Sequence, residues 1–164
     1  MRVTNTHVYF WDSVFSQFYN RPDCLPLFTY NNKSFYTAEH FMMYNKALFF
    51  NDFHTASKIL ETKSPSAVKK LGRQITPFDP VAWSKVSYDI VVRGNILKFS
   101  QNPNELKQLL SFQNHTFVEA SPADTIWGVG LHESDDRILF EDNWQGTNLL
   151  GKALNETATR LKGL

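Results

Sequence analysis

The sequence predicts an α+β fold, rich in helix and carrying a few short, mainly antiparallel strands. Three observations carry that expectation. Polar capping residues stand directly before prolines or helical apolar repeats through the middle of the chain, strand formers gather towards both ends, and no linker, repeat or low-complexity tract interrupts the 164 residues. A chain of this length suits one apolar core, so residues 1–164 are expected to form a single compact domain.

Val8-Tyr9-Phe10-Trp11 is dense in strand formers, and a loop at Asn20-Arg21-Pro22-Asp23 separates it from a second extended segment, residues 25–30. A turn at Asn31-Asn32 leads to Ser34-Phe35-Tyr36, and together these segments read as a small antiparallel sheet. Thr37 is placed to cap a helix over residues 38–50, where Phe41, Tyr44 and Leu48 recur at helical spacing and should face the core. Ser64-Pro65 and Asp79-Pro80 each set a capping side chain before a proline at the first helical position. The second of these helices is long, with Ala82, Trp83, Val86, Ile90 and Leu97 as its expected buried stripe. Asn102-Pro103-Asn104-Glu105 repeats the device, with Leu106, Leu109 and Leu110 behind it. Residues 116–120 and 125–131 read as strands joined by the bend Ser121-Pro122-Ala123-Asp124, and the apolar spacing from Leu149 to Leu161 marks a closing helix.

Composition excludes several classes of function. Hydrophobic residues make up 42% and aromatic residues 15%, too much apolar surface for a disordered chain. Seventeen basic residues against 16 acidic ones give a net charge of +1, which removes a global attraction to nucleic acid or anionic membranes and leaves only local basic patches. Cys24, the only cysteine, cannot form an internal disulfide, which suits a reducing, cytoplasmic compartment. Neither a signal peptide nor a membrane-spanning run of about 20 apolar residues is visible. The five histidines lack the paired spacing of a zinc or iron site, so no metal and no cofactor are expected. Gly-rich phosphate loops and a nucleophile elbow are also missing.

What remains is a set of carboxylates among aromatics. Glu39, at the second position of its helix, shares a face with Met43 and Lys46, so one helix presents both an acid and a base. The plainer reading is that Glu39 complements the helix dipole and Lys46 solvates a surface; the same dipole favours the ionised carboxylate, which suits a general base or a stabiliser of positive charge. Glu119 falls on a strand face with Phe117, an odd place for a charge unless it is paired or lines a cleft. Asp124 either serves chemistry or caps a turn after Ser121-Pro122. Trp127 taken alone suits a core, and Gly128 and Gly130 suggest that another backbone or a ligand comes close. Arg73 and Lys98 either favour helix C-termini or bind a phosphate. The segment from Trp144 to Asn148 reads as a glycine-containing loop before the last helix.

Taken in order, these fragments resemble the NADAR superfamily, which includes the YbiA-like N-glycosidases. The resemblance rests on Phe10-Trp11 with Phe15-Ser16-Gln17-Phe18-Tyr19, then Phe35-Tyr36-Thr37-Ala38-Glu39-His40, AVKKLGR at residues 67–73, Trp83, and Lys98-Phe99 with Gln101-Asn102-Pro103. It continues through Leu109-Leu110, the E-A-S-P-x-D-x-x-W-G pattern from Glu119 to Gly128, Val129-Gly130-Leu131, and Trp144-Gln145-Gly146 with the N-L-L-G-K run from Asn148. Gln17 stands where the family usually has Asn, keeping the amide and lengthening its reach. The resemblance implies hydrolysis of a C–N bond at the anomeric carbon of a ribose, on ADP-ribosylated guanine or on phosphoribosyl-aminopyrimidine intermediates of riboflavin synthesis. The partner is then a small ribotide or ADP-ribosyl substrate, with ADP-ribosylated nucleic acid as an extension of the same chemistry. A non-catalytic reader of ADP-ribose is the competing class.

In the mechanism that follows from it, Glu39 stabilises the ribosyl cation or orients water, Asp124 assists, and Lys46 meets the phosphate or acts directly on an opened sugar. Trp127 and Trp144 supply a stacking wall, and Arg73 or Lys98 takes the phosphate. Glu119, Gly128 and Asn148 complete the expected substrate-binding residues.

Overall fold

Thr37, Asp52, Ser64 and Asp79 each turn a side-chain oxygen onto backbone N–H groups of the following turn, and each opens a helix. The computed structural model describes residues 1–163, and its chain divides into two compact units. One is continuous, Gln17–Asn102; the other joins both ends of the chain, residues 1–16 with the described residues from Pro103 onward.

The continuous unit begins with a hairpin, β3 (Phe28–Tyr30) and β4 (Lys33–Phe35), in which Tyr30 lies opposite Lys33. Asn31 and Asn32 form its two-residue turn at φ of 49° and 61°, the left-handed region that Asn tolerates better than other side chains and that matches the strand twist. Four helices follow: α1 (Ala38–Phe49), α2 (Phe53–Glu61), α3 (Pro65–Gln74) and α4 (Pro80–Ser100). The expected helices at residues 38, 65 and 80 are present, while α2 is an addition to the sequence reading. Its core combines Leu27, Phe28, Phe35, Phe41 and Ile90, with Phe28 and Phe35 stacked at 5.5 Å across the hairpin. The buried stripe of α4 is broader than expected: Val91, Val92, Asn95, Lys98 and Phe99 are buried as well as Ile90, whereas Ala82, Val86 and Leu97 are only half-buried.

In the unit built from both ends, β1 (Arg2–Val3) pairs antiparallel with β2 (His7–Phe10), and β2 pairs parallel with β5 (Thr116–Glu119). The strand at residues 7–10 therefore belongs to a different sheet from the hairpin, correcting the single antiparallel sheet read from the sequence. Helices α5 (Pro103–Ser111) and α6 (Leu149–Leu161) complete the unit with two short 3-10 turns, Asp136–Leu139 and Glu141–Asn143.

Residues 125–131 are not a strand. Asp124 Oδ1 accepts the N–H groups of Ile126 and Trp127 at 2.9 and 2.8 Å, folding the segment into a turn that strand geometry would not allow. The fold is mixed α+β with short strands, and among the described residues no helix is long and apolar enough to cross a membrane.

Candidate active site

In the continuous unit the chemistry concentrates on α1. Thr37 accepts the His40 N–H, and the Glu39 N–H donates to the Gln17 carbonyl at 3.0 Å, so two of the otherwise unpaired amides at the helix start have partners. That backbone bond fixes the root of Glu39, whose side chain is 7% exposed. Gln17 is braced in turn: Asn95 Nδ2 on α4 donates to Gln17 Oε1 at 3.1 Å and to the Val91 carbonyl at 2.9 Å. The next residue, His40, is committed to structure. Its Nε2 lies 2.6 Å from the Thr62 carbonyl, which can only accept and so places a hydrogen on Nε2, and its Nδ1 lies 2.7 Å from the Thr37 hydroxyl, which donates to it in the neutral ring. Burial pushes its pKa down despite the Thr62 bond, keeping the ring neutral.

Lys46 lies two helical turns beyond Glu39 on the same face. Its ammonium donates to the Gly72 carbonyl at 2.9 Å and sits 4.4 Å from the Phe78 ring centre and 5.9 Å from that of Trp83. Burial lowers its pKa, and the Glu39 carboxylate works in the opposite direction. The two charges therefore feel each other, as their sevenfold spacing suggests. Met43, between them on that face, is buried against α3, where a Cβ on Gly72 would lie 2.0 Å from Met43 Sδ. Gly72 thus lets α3 approach the face that carries both charges.

The other two expected cations differ sharply. Arg73, in the last turn of α3, is exposed. Lys98, in the last turn of α4, is completely buried, with its ammonium 5.5 Å from the Tyr19 ring centre and 5.0 Å from that of Phe99. Asn95, Phe78 and Trp83 were not singled out as site residues from the sequence. For Asn95 a signal existed, an amide one helical turn from Val91 and Val92 and directly before Ile96 and Leu97; nothing local ties Phe78 or Trp83 to Lys46.

In the unit built from both ends, the remaining candidates surround the end of β5. Asn148, 2% exposed and at a φ of 53°, accepts the Glu119 N–H through Oδ1 at 3.0 Å and donates Nδ2 to the Phe117 carbonyl at 2.9 Å. It acts as a clamp that continues the ladder of β5 with a side chain. Gly128 is packed against backbone: its Cβ would meet the carbonyl oxygens of Asp124 at 2.9 Å and Glu119 at 3.0 Å. Backbone, then, accounts for the close approach expected there. Trp127 and Glu119 are half-buried, and Asp124 caps its turn, the structural alternative raised by the sequence. Trp144 donates its indole N–H to the Ile138 carbonyl at 2.8 Å and meets His7 edge-on at 6.2 Å, packing beside the Tyr9, Val118 and Val129 cluster. Among the described residues no three His, Cys, Asp or Glu side chains are arranged to hold a metal ion.

The family model of the NADAR domain matches residues 9–162. A protein of Acanthamoeba polyphaga mimivirus named as an N-glycosidase is 48% identical over 118 residues, covering 72% of this chain and 69% of its own. The Caenorhabditis elegans protein irg-1 is 40% identical over 131 residues, 77% of this chain; the match spans 61% of that relative's length. The NMR structure of the E. coli protein YbiA superposes with a TM-score of 0.75 over 98% of this chain and 87% of its own, at 23% identity, a likeness of fold. With nearly its whole length matched by the family model, the chain belongs to the NADAR domain family.

Proposed function

We propose that this protein is an N-glycosidase that hydrolyses the bond between ribose C1 and a nitrogen of a base or aminopyrimidine, with ADP-ribosylated guanine and phosphoribosyl-aminopyrimidines as its candidate substrates. Family membership and the name of the viral relative support the reaction class. The observation that carries the residue assignment is the face of α1 on which a nearly buried carboxylate, Glu39, interacts with a half-buried amine of lowered pKa, Lys46.

The chemistry follows from charge. As the C1–N bond lengthens, its electron pair leaves with nitrogen and positive charge builds on the ribose, which a fixed carboxylate stabilises best where water is scarce. Water then adds its oxygen to C1 and gives up a proton to Glu39, while the departing nitrogen takes a proton; the products are the free base and the 1-hydroxyl sugar. A lysine whose pKa is lowered gives up a proton more readily than an ordinary one, which suits Lys46 to that donation or to amine chemistry on an opened sugar. Exposed Arg73 suits a phosphate better than Lys98, which is closed off by aromatic rings. Exposed, free Cys24 accords with a reducing, cytoplasmic setting.

The test is release of sugar, followed by mass spectrometry, from ADP-ribosylated guanine DNA and, separately, from aminopyrimidine ribotides. One of the two should turn over, and Glu39→Gln should lose roughly 100-fold or more in rate while melting at the wild-type temperature. Full activity in the folded variant would overturn the role of Glu39, and ADP-ribose binding without product over hours would make the protein a reader.

A further inference from the structure

The opposite face of α1 borders a second feature that the hydrolytic reading does not use. Phe41, Tyr44, Asn45 and Leu48 lie about half a turn around the helix from Glu39, Met43 and Lys46, and they line an open cavity of about 230 Å³ bordered by the β3–β4 hairpin and α4. Phe35 and Phe41 are buried and supply its apolar base. Tyr30 and Lys33 stand opposite each other in the hairpin register and so project from the same face, and both line the cavity. The tight Asn31-Asn32 turn fixes their spacing. From α4, Arg93 reaches over the Tyr30 ring at 5.7 Å, with its Nη2 3.4 Å from the phenol oxygen.

The lining contains two cations and no carboxylate. Among the described residues neither Lys33 nor Arg93 is in an ion pair. Aromatic walls with two exposed cations at the rim match a flat ring joined to an anion. The cavity is smaller than the roughly 300–1,000 Å³ typical of drug-sized ligands, so it takes a flat base while the sugar and the anion stay at the rim. Two amides favour a heteroaromatic base over a plain phenyl ring. Asn31 contributes one, and Asn45 donates its Nδ2 to the Phe41 carbonyl at 2.8 Å, which leaves its oxygen to accept.

We propose that this cavity is a second binding site, for a nucleoside monophosphate, with the base against Tyr30 and Tyr44 and the phosphate held by Lys33 and Arg93. Residues of the continuous unit form it alone, and it does not depend on the role given to Glu39.

The experiment titrates the full chain with adenosine monophosphate, adenosine and inorganic phosphate while following backbone amide chemical shifts. Adenosine monophosphate should move the amides of Tyr30 to Lys33 and Arg93, equally in the wild type and in Glu39→Gln, and should bind about tenfold or more tightly than either fragment. Replacing both exposed cations, Lys33→Gln with Arg93→Gln, should weaken binding at least tenfold, since a hydrogen bond to a charged group is commonly worth that factor. Hairpin amides that do not move, phosphate that binds as well as the nucleotide, or affinity that survives the double substitution would each overturn the proposal. None of these readouts uses turnover, so the result is separate from the fate of the hydrolytic reading.

Discussion

His40 follows Glu39 in the chain, yet its ring is 1% exposed and held on both nitrogens, so its protonation reports on folding rather than on catalysis. Folding lowers its pKa below the unfolded value of about 6.5, so the unfolded chain binds the proton more readily. The stability His40 contributes is therefore complete above about pH 6.5 and is lost as the pH falls towards its folded pKa. Urea unfolding at pH 7.5 and 5.5 should show a larger loss for the wild type than for His40→Gln, which is less stable at the higher pH but responds less to acid; parallel losses would refute the link. Asp124 allows a similar separation of roles. With its Oδ1 bound to two backbone amides, Asp124→Ala should cost about 1 kcal/mol of stability, while Asp124→Asn retains an accepting oxygen and much of the turn. If Asp124→Asn folds like the wild type but turns over more slowly, the missing charge acts on substrate; if its rate is unchanged, Asp124 serves only the turn.

Among the helices, α3 controls how α1 presents its charged face. Gly72→Ala would place a methyl carbon 2.0 Å from Met43 Sδ, and a thioether can rotate away, so the change should cost about 1–3 kcal/mol rather than abolish folding. Because Met43 lies between Glu39 and Lys46, kcat should fall more than the melting temperature suggests; a wild-type rate would show that the packing of α3 does not affect the charged face. This face was legible in the sequence, since seven-residue spacing on a capped helix places Glu39 and Lys46 together whatever surrounds them. The helix starts at Ser64-Pro65 and Asp79-Pro80 were legible for the same reason, each being settled within four residues. Asp52 caps α2 through the Thr55 N–H and hydroxyl without a proline to mark it, and that helix was not read. Thr125-Ile126-Trp127 and Val129 look like a strand, but the Asp124 cap and the backbone packed against Gly128 determine their conformation. The burial of Lys98 and the Phe78 and Trp83 rings around Lys46 depend on tertiary packing, which no local pattern reports.

At the scale of the whole molecule, connectivity makes the two units interdependent. The unit built from both ends pairs His7 with Thr116, so forming it while Gln17–Asn102 is unfolded means closing a loop of about 85 residues. That closure costs on the order of 4 kcal/mol. Folding of the continuous unit removes most of that cost, because the bond between Gln17 and Asn95 anchors the start of this segment to a point on α4 about 10 Å along the chain axis from its end at Asn102. The linkage is reciprocal, since the paired ends restrict the unfolded middle segment much as a crosslink would. The chain should therefore unfold as one cooperative domain. Phe41→Ala in one unit and Phe117→Ala in the other each remove a fully buried ring and should each cost about 3–5 kcal/mol. Trp83 reports on the continuous unit, and Trp127 and Trp144 on the other. In variants that keep a single indole, either Phe substitution should lower the melting temperature seen by both reporters equally, whereas a shift confined to the unit that carries the substitution would show that the two fold separately.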